Sequence, residues 1–304
     1  MDGMILIDKP QSFTSFDVVA VMRGLFHQKK VGHTGTLDPM ATGVLPILLG
    51  KATRCAPFLE DTNKEYQAQF QLGTATDTQD SKGNVVAVSE HKVTRQELEQ
   101  VLPQFRGEIL QLPPMYSAVQ KDGQRLYVLA RQGIEVEREK RPVTIFKCEL
   151  VSFDENTQTG TLCVACSKGT YIRTLCHDIG EKLGCGGCME ALIRTRVGRF
   201  ELKDSISLKE LEKIRDEERL GEYLVSVEEM FLDQPKASAL PEADSLVHNG
   251  NPVKPELVKV ERDQTYTDQQ LFRMYDSDQQ FLGVYRYEED RKWLKPWKMF
   301  LGGN

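Results

Sequence analysis

The sequence lacks long apolar runs. The longest one after the N-terminus, residues 44–49, contains Pro46 and is far shorter than the roughly 20 residues that span a bilayer as a helix. Residues 1–7 place no basic segment ahead of a short apolar stretch, unlike a secretory signal peptide. With 40% hydrophobic residues among 304, the chain can still bury a sizeable core. We therefore expect a globular protein of the cytoplasm without membrane contact.

Several motifs of cofactor-dependent and hydrolytic enzymes are also missing. There is no Gly-x-Gly-x-x-Gly, no His-Glu-x-x-His and no Gly-x-Ser-x-Gly. Gly43 and Gly50-Lys51 are too far apart for a phosphate-binding loop, and Ala52 replaces the hydroxyl residue. Residues 77–83 lack the alternating oxygens of a calcium loop. The sequence predicts no nucleotide, redox or metal cofactor.

Seven cysteines form an odd set, which argues against a disulfide framework in a cytoplasmic chain. The pairs Cys163-x-x-Cys166 and Cys185-x-x-Cys188 do fit the spacing of a four-cysteine zinc site. We favour buried, reduced thiols because residues 161–166 resemble a strand, on which residues three apart point to opposite faces. A structural zinc ion is the alternative.

Charge is unevenly distributed along the chain. The net charge of −6 and the pI of about 5.6 argue mildly against nucleic acid as a partner. However, Asp38 is the only acidic residue between Val18 and Leu59, and much of the acid lies in residues 204–233. Two local stretches are basic, with Arg23, Lys29, Lys30, Lys51 and Arg54 in the first and Lys168, Arg173, Arg194, Arg196 and Arg199 in the second. These stretches favour an RNA contact.

The order of predicted elements is mixed, which argues against a doubly wound parallel sheet. The pattern predicts strands at 4–7, 66–72, 85–88, 143–153 and 160–167, with helices opened by Thr14, Thr94 and Ser207 and a further helix at 171–183. After residue 235 the pattern changes to short strand-like runs at 253–260, 271–275, 281–287 and 293–300. This part resembles a separate small β-rich module.

One glycine-rich string carries the candidate chemistry. It reads Gly32-His33-Thr34-Gly35-Thr36-Leu37-Asp38-Pro39-Met40-Ala41-Thr42-Gly43-Val44-Leu45. Its glycines allow tight turns and a close approach of the backbone to a ligand. Pro39 restricts Asp38 to an extended conformation, so the carboxylate is presented from a loop beside His33. An ordinary Asp-Pro turn is the alternative interpretation.

This string resembles the signature of the TruB family of tRNA pseudouridine-55 synthases. Further segments similar to the family follow in order over roughly residues 4–232, namely 7–10 with 14–15, 64–68, 76–80 with 83, 113–118, 166–175 and 192–198. The chain departs from the family pattern in three places. Ser12 replaces a glycine, Ile193 replaces an arginine, and Gly187-Cys188 replaces a small and polar pair before a segment that we interpret as a helix.

The resemblance implies an α+β fold. We expect a pseudouridine synthase catalytic domain at 1–234, built on a mixed, mainly antiparallel sheet flanked by helices. A small β-rich, PUA-like RNA-binding domain is expected at 235–304. The implied partner is tRNA, bound through its T arm and, by the C-terminal domain, through its acceptor stem. We expect a monomer.

The implied reaction isomerises uridine 55 in the T loop. The bond from N1 to ribose C1′ breaks, the base turns, and C5 bonds to C1′ without a cofactor. The resemblance makes Asp38 the catalytic carboxylate, acting either on C1′ or on the proton at C2′. It makes Arg173 the cation that keeps Asp38 ionised. It makes Tyr66 the ring that stacks on uracil, with a hydroxyl that assists proton removal at C5.

The resemblance also implies a set of substrate-binding residues. The target base must be extruded from the RNA to be reached. His33 is expected to contact the T loop and help displace the base, and Leu192 to form an apolar wall. Asp80 is expected to contact the base or nearby RNA. Three lysines are expected to contact phosphates, and they are Lys9, Lys64 and Lys168.

Three other hypotheses compete with this interpretation. The chain could fold or bind tRNA without catalysis, although Asp38, Tyr66 and Arg173 are all present. It could be a zinc-stabilised binding module. It could also be a synthase that acts on a different uridine.

Overall fold

A computed structural model describes residues 1–261 and 266–300. Its strands, in chain order, are β1 (Gly3–Lys9), β2 (Val31–His33), β3 (Thr42–Leu49), β4 (Lys64–Leu72), β5 (Thr74–Thr76), β6 (Val85–Val88), β7 (Gly107–Gln111), β8 (Gln120–Lys121), β9 (Gln124–Arg125), β10 (Arg141–Asp154), β11 (Thr159–Cys166), β12 (Gly187–Val197), β13 (Phe200–Glu201), β14 (Ile206–Ser207), β15 (Lys236–Ala239), β16 (Val258–Val260), β17 (Leu271–Tyr275), β18 (Phe281–Glu288) and β19 (Trp293–Met299). Its α-helices are α1 (Ser15–Leu25), α2 (Ala56–Glu60), α3 (Arg95–Val101), α4 (Leu126–Arg131), α5 (Ile172–Lys182), α6 (Leu208–Asp216) and α7 (Asp244–His248).

The larger sheet has ten strands. Eight of them follow the order β14-β1-β3-β12-β4-β11-β10-β7, with β2 paired to β3 and β13 paired to β12. Only the pairs β1–β14 and β3–β12 are parallel, and the others are antiparallel. The predicted α+β class with a mixed, mainly antiparallel sheet is therefore confirmed.

Helix α1 forms where its capping signal predicts. Thr14 Oγ1 accepts a hydrogen bond from the backbone N–H of Asp17 at 3.0 Å, and the Asp17 carboxylate accepts one from Thr14 N at 2.8 Å. The helix then buries one stripe against β1 and β3, formed by Val18, Val19, Met22 and Leu25. This packing fixes the first turn of α1 beside the loop that precedes β3.

Helix α5 lies against β12. The predicted helix at 171–183 is confirmed within one residue at each end, with Tyr171 at the N-cap. Its close approach requires a glycine, because a Cβ on Gly180 would lie 2.3 Å from the carbonyl carbon of Gly186. The apolar side of α5 joins a cluster with β4 and β11 that contains Phe70, Leu162 and Leu175. The start of α5 is thereby held over the centre of the sheet.

The second sheet lies near the C-terminus and has the order β16-β15-β17-β18-β19. It confirms the β-rich module, with two differences. Strand β15 was not predicted, and the run at 253–260 forms a strand only in β16 because Pro255 begins a short 3₁₀ turn. Residues 262–265 and 301–304 of the predicted domain lie outside the described residues.

The two sheets share an apolar cluster. It joins residues of β1 and β3 to residues of β17, β18 and β19 through Phe231, which is fully buried. The Phe231 ring lies 4.5 Å from Phe58 and 6.2 Å from Trp297, measured between centroids. None of the described helices is long and apolar enough to cross a bilayer.

Candidate active site

Asp38 lies in the loop between β2 and β3, as predicted. The loop turns immediately after it, since Ala41 N donates to the Asp38 carbonyl at 3.0 Å. Ser12, one of the departures from the family pattern, adopts a left-handed φ of 72° and donates its N–H to Pro39 O at 2.8 Å. A serine thus holds a backbone conformation that glycine adopts more readily, and the turn still forms.

Lys9 fastens this loop from inside the protein. Its side chain is fully buried, and Nζ donates to the carbonyls of Pro10 at 2.9 Å, Phe13 at 2.6 Å and Pro39 at 3.3 Å. The expectation that Lys9 contacts a phosphate is therefore wrong for this structure, because the ammonium faces carbonyl oxygens rather than solvent. Burial lowers the pKa of Lys9 to about 8.

Arg173, at the start of α5, binds Asp38, Asp80 and the backbone carbonyls of Tyr116 and Thr78. Its Nε lies 3.1 Å from Asp38 Oδ2, and its Nη1 lies 3.2 Å from Asp80 Oδ2. Its Nη2 donates to the carbonyl of Tyr116 at 2.9 Å. The Arg173 side chain is 7% exposed, whereas that of Asp38 is 39% exposed. The pair therefore combines a fixed, buried cation with a carboxylate that a ligand can reach.

The surroundings of Asp38 act on its ionisation in opposite directions. Enclosure by the protein raises the pKa of the Asp38 carboxyl above its ordinary value, and the Arg173 guanidinium partly offsets this. The Asp80 carboxylate adds a smaller upward effect on the same pKa. Asp38 is thus less acidic than a solvent-exposed aspartate.

Asp80 is engaged entirely within the protein. Its Oδ2 pairs with Arg173, and its Oδ1 accepts from Thr78 Oγ1 at 2.8 Å and Lys82 N at 3.0 Å. The side chain is 9% exposed. The expected direct contact between Asp80 and the base or RNA is therefore not supported, and Asp80 instead holds Arg173 and the turn at 78–82.

Tyr66 and Leu192 lie on neighbouring strands. Tyr66 on β4 is paired in register with Arg194 on β12, and Leu192 is paired with Ala68. Tyr66 and Leu192 are 9% and 8% exposed and belong to one apolar cluster with Leu37, the residue before Asp38. The segment around Leu192 is strand β12, so our interpretation of it as a helix is wrong.

Arg194 is a site residue that sequence reasoning did not single out. It is almost completely buried, and it donates from Nε to Val44 O at 2.8 Å and from Nη2 to Gly35 O at 3.2 Å. Burial raises the pKa of the Tyr66 phenol, and the Arg194 charge opposes that rise. A Cβ on Gly43 would lie 2.2 Å from the Arg194 carbonyl oxygen, so glycine permits the close approach of β3 and β12 at this point.

The remaining predicted lysines differ in position. Lys64 is 6% exposed, and its Nζ donates to Glu60 O at 2.6 Å and also to Thr62 O, so its expected phosphate contact is likewise wrong. Burial lowers the pKa of Lys64 to about 8. Lys168 has a side chain that is 63% exposed and an ion pair with Asp61 at 2.6 Å. Lys168 alone of these three lysines faces solvent.

His33 ends β2 and is partly buried. Its ring lies 5.2 Å from the ring of Phe16, between centroids, with the two planes at 85°. Burial, and secondarily the charge of Arg194, lowers the pKa of His33 below its ordinary value. The imidazole is therefore neutral at pH 7.

The cysteines do not gather into a ligand set. Within residues 1–261 and 266–300, no group of three or more His, Cys, Asp or Glu side chains could hold a metal ion. Cys163 and Cys166 lie on strand β11, and all seven cysteines are free thiols. Burial raises the pKa of Cys166 and Cys188 to about 11, which keeps these thiols protonated at neutral pH.

Known structures and sequence models match this architecture. The fold resembles that of a chain in a Cbf5–Nop10–Gar1 complex, with a TM-score of 0.77, 26% identity and coverage of 98% of this chain and 85% of the other. A chain in an H/ACA RNP bound to a substrate RNA containing 2′-deoxyuridine gives a TM-score of 0.76, 24% identity and coverage of 99% and 85%. Residues 23–172 match the TruB family pseudouridylate synthase N-terminal domain, and residues 173–232 match the tRNA pseudouridylate synthase B C-terminal domain. Fold and sequence thus define the class as the pseudouridine synthases.

Similar full-length relatives narrow the class to a family. Proteins named tRNA pseudouridine synthase B are 48% identical in Azoarcus sp. (strain BH72), over 84% of this chain and 85% of that protein, and 44% identical in Pseudomonas fluorescens, over 95% and 93%. One from Lachnoclostridium phytofermentans is 42% identical over 99% of this chain and all of that protein. The chain belongs to the TruB family, whose reaction is the isomerisation of uridine to pseudouridine in tRNA. The resemblance inferred from the sequence is confirmed.

Proposed function

We propose that this enzyme isomerises uridine 55 in the T loop of tRNA, with Asp38 as its catalytic carboxylate. One observation carries this assignment of Asp38. The accessible carboxylate lies 3.1 Å from a buried guanidinium, and Leu37, the residue before it, belongs to the same apolar cluster as Tyr66. A carboxylate that a ligand can reach, with a fixed cation beside it, suits chemistry at a sugar carbon, where charge develops in the transition state.

The reaction is balanced without an external reagent. The bond from N1 to C1′ breaks, the detached uracil turns, and C5 bonds to C1′. The proton lost from C5 is matched by the proton gained at N1. In our proposal ionised Asp38 either attacks C1′, displacing N1, and leaves when C5 bonds there, or removes the proton at C2′ and returns it when C5 bonds to C1′. Arg173 favours the ionised form.

The apolar surroundings of Asp38 suit a detached base. We propose that the Tyr66 ring stacks on the uracil, that its hydroxyl assists proton removal at C5, and that Leu192 forms an apolar wall. Both side chains are nearly buried, so an extruded uracil placed against them would be shielded from water.

The proposed tRNA contacts involve both parts of the chain. His33 at the rim of the site would contact the T loop, and exposed Lys168 would contact a phosphate. We propose that residues 235–304 form a PUA-like domain that binds the acceptor stem, with residues 1–234 as the catalytic domain. A monomer suffices because Asp38, Tyr66 and Arg173 come from one chain. With tRNA as substrate, we place its activity in the cytoplasm.

The test compares two variants with matched chemistry. Asp38→Asn and the exposed control Asp233→Asn each remove one carboxylate. Pseudouridine would be mapped in tRNA from cells that lack the chromosomal copy and produce either variant. We expect position 55 to stay uridine with Asp38→Asn and to be modified with Asp233→Asn. Pseudouridine at position 55 with Asp38→Asn would exclude Asp38 as the catalyst. Pseudouridine only at other positions would exclude uridine 55 as the target.

A further inference from the structure

Helix α1 presents an unusual exposed ring near the active site. Phe16, the second residue of α1, is 67% exposed, which makes it the most exposed phenylalanine in the described part of the chain. Phe13, just before the helix, is 36% exposed. Leaving a phenyl ring in water forgoes roughly 1.5–3 kcal/mol of burial. A ring kept at such a position suggests that a ligand covers it.

Phe16 is connected to the catalytic loop by two contacts. Its neighbour Ser15 accepts a hydrogen bond through Oγ from Leu37 N at 2.9 Å, and Leu37 precedes Asp38. Its own ring touches the His33 ring at 5.2 Å in an edge-to-face arrangement. These contacts place the exposed face of Phe16 near the loop that carries Asp38.

His33 acts as a ring rather than as a cation in this pair. Its Nδ1 is buried and has no hydrogen-bond partner among the described residues. Burial lowers its pKa, which favours the uncharged form over the cation that would attract a phosphate. Its contact with Phe16 fixes the orientation of both rings.

The size and charge of this surface distinguish between possible occupants. Two phenylalanine side chains offer about 500 Å² at most, below the roughly 800 Å² per partner of a stable protein interface. The nearest acid on α1, Asp17, is occupied by its hydrogen bonds to Thr14. From Val18 to Leu59 the only acidic residue is Asp38. This surface suits the flat face of a base on a polyanionic strand.

We propose that Phe16, oriented by His33, stacks on an unpaired nucleobase of the RNA substrate beside the uridine that enters the site. The proposal rests on the proposed function, since it requires an RNA loop at Asp38. Loss of a base stacked on an aromatic side chain is expected to lower affinity about tenfold, within a range of roughly five- to 150-fold.

The test uses variants that separate an aromatic ring from an apolar side chain. Phe16→Leu keeps an apolar side chain, whereas Phe16→Tyr keeps the ring. Phe146→Leu is the matched control, because Phe146 on β10 is also exposed, at 54%. We expect Phe16→Leu to raise the KM for tRNA about tenfold with kcat within twofold of wild type. Phe16→Tyr and Phe146→Leu are expected to leave both constants within twofold.

A second measurement reports stacking directly. Tryptophan emission of Phe16→Trp, after subtraction of the wild-type signal, should be quenched when tRNA is added. Unquenched emission, or equal KM values for wild type and Phe16→Leu, would overturn the proposal. A change in self-association of Phe16→Leu without a change in KM would assign the surface to a second copy of the chain instead. None of these outcomes depends on Asp38→Asn, so the two proposals can fail separately.

Discussion

At the scale of single residues, the site depends on how the protein distributes buried charge. Arg173 serves two carboxylates, one reachable by ligand and one enclosed, and Arg194 and Lys9 are satisfied largely by backbone carbonyls. A buried charge is tolerated only when its donors are all bonded. The consequence is that the loop around Asp38 is held from several sides.

The first prediction concerns the acid limb of the pH profile. Because enclosure raises the pKa of Asp38, kcat/KM should begin to fall at a higher pH than the ordinary aspartate value of about 3.9 implies. Arg173→Lys keeps a cation but loses the fork that reaches both carboxylates. We expect it to lower kcat about tenfold and to shift the acid limb to higher pH. The control is Arg196→Lys, which alters the half-buried ion pair between Arg196 and Glu65. An unchanged acid limb in Arg173→Lys would contradict the role of Arg173 in the ionisation of Asp38.

The second prediction concerns Lys9 and stability. Folded Lys9 loses its proton near pH 8, whereas the unfolded chain keeps it to about pH 10.5. Between these values the unfolded state binds more protons, so the free energy of unfolding rises with pH. The free energy of unfolding of the wild type, relative to that of Lys9→Met, should therefore rise by up to about 3 kcal/mol between pH 8 and 10.5. Denaturant unfolding of both proteins at several pH values measures this, and a constant difference would refute it.

The sequence indicated which residues form the site more easily than the direction in which their side chains point. Asp38 on its loop was predictable because Pro39 and the glycines dictate the local backbone. Lys9 and Lys64 could not be placed, because a sequence pattern does not show whether a lysine extends into solvent or turns back to nearby carbonyls such as Pro10 O and Glu60 O. Arg194 was missed because its acceptors, Val44 O and Gly35 O, are about 150 residues away in the chain.

At the scale of elements, two helices use the same capping box for different purposes. Thr14 caps α1, whose next residue, Ser15, bonds to the catalytic loop, whereas Thr94 caps α3, which packs on the sheet through Leu98. The two boxes share their geometry. In the second one, Glu97 N donates to Thr94 Oγ1, and the Glu97 carboxylate accepts from Thr94 N.

This pair provides the third prediction. Thr14→Ala and Thr94→Ala should each lower the free energy of unfolding by about 1 kcal/mol. Only Thr14→Ala should also lower kcat, by a few fold, because only α1 supports the Asp38 loop. Equal kcat values for both variants, measured at matched folded fractions, would argue against this coupling.

Some elements could not be predicted from local pattern. β12 lies between β3 and β4 in the sheet, and its long-range pairing settles its conformation as a strand. β15 is short and carries small residues, so its strand character depends on β16 and β17 on either side. Strands with clear alternation, such as β4, were predicted because their own residues define the buried face.

At the scale of the whole molecule, the apolar cluster around Phe231 joins the two sheets. Our fourth prediction is that Phe231→Ala lowers the free energy of unfolding by about 3–5 kcal/mol. It should also expose the segment near residues 232–236 to limited proteolysis under native conditions. Phe70→Ala, in the apolar cluster of α5, β4 and β11, should lower the free energy of unfolding by a similar amount without producing that cleavage. The same cleavage pattern in both variants would show that Phe231 does not hold the sheets together.

The overall charge of the chain was a poor guide to its partner. A net charge of −6 would disfavour nucleic acid, yet the segment around Asp38 is almost free of acid. Local charge and motif order indicated the family, and the fold and relatives confirm it.

The most direct test of the central claim follows the hydrogen at C5. Isomerisation releases this hydrogen, so tRNA carrying tritium at C5 of uridine reports each turnover. In single-turnover reactions with saturating enzyme, we predict release from one uridine per tRNA by wild type and none by Asp38→Asn, while both bind tRNA with equal affinity. Release by Asp38→Asn at the wild-type rate would contradict the account.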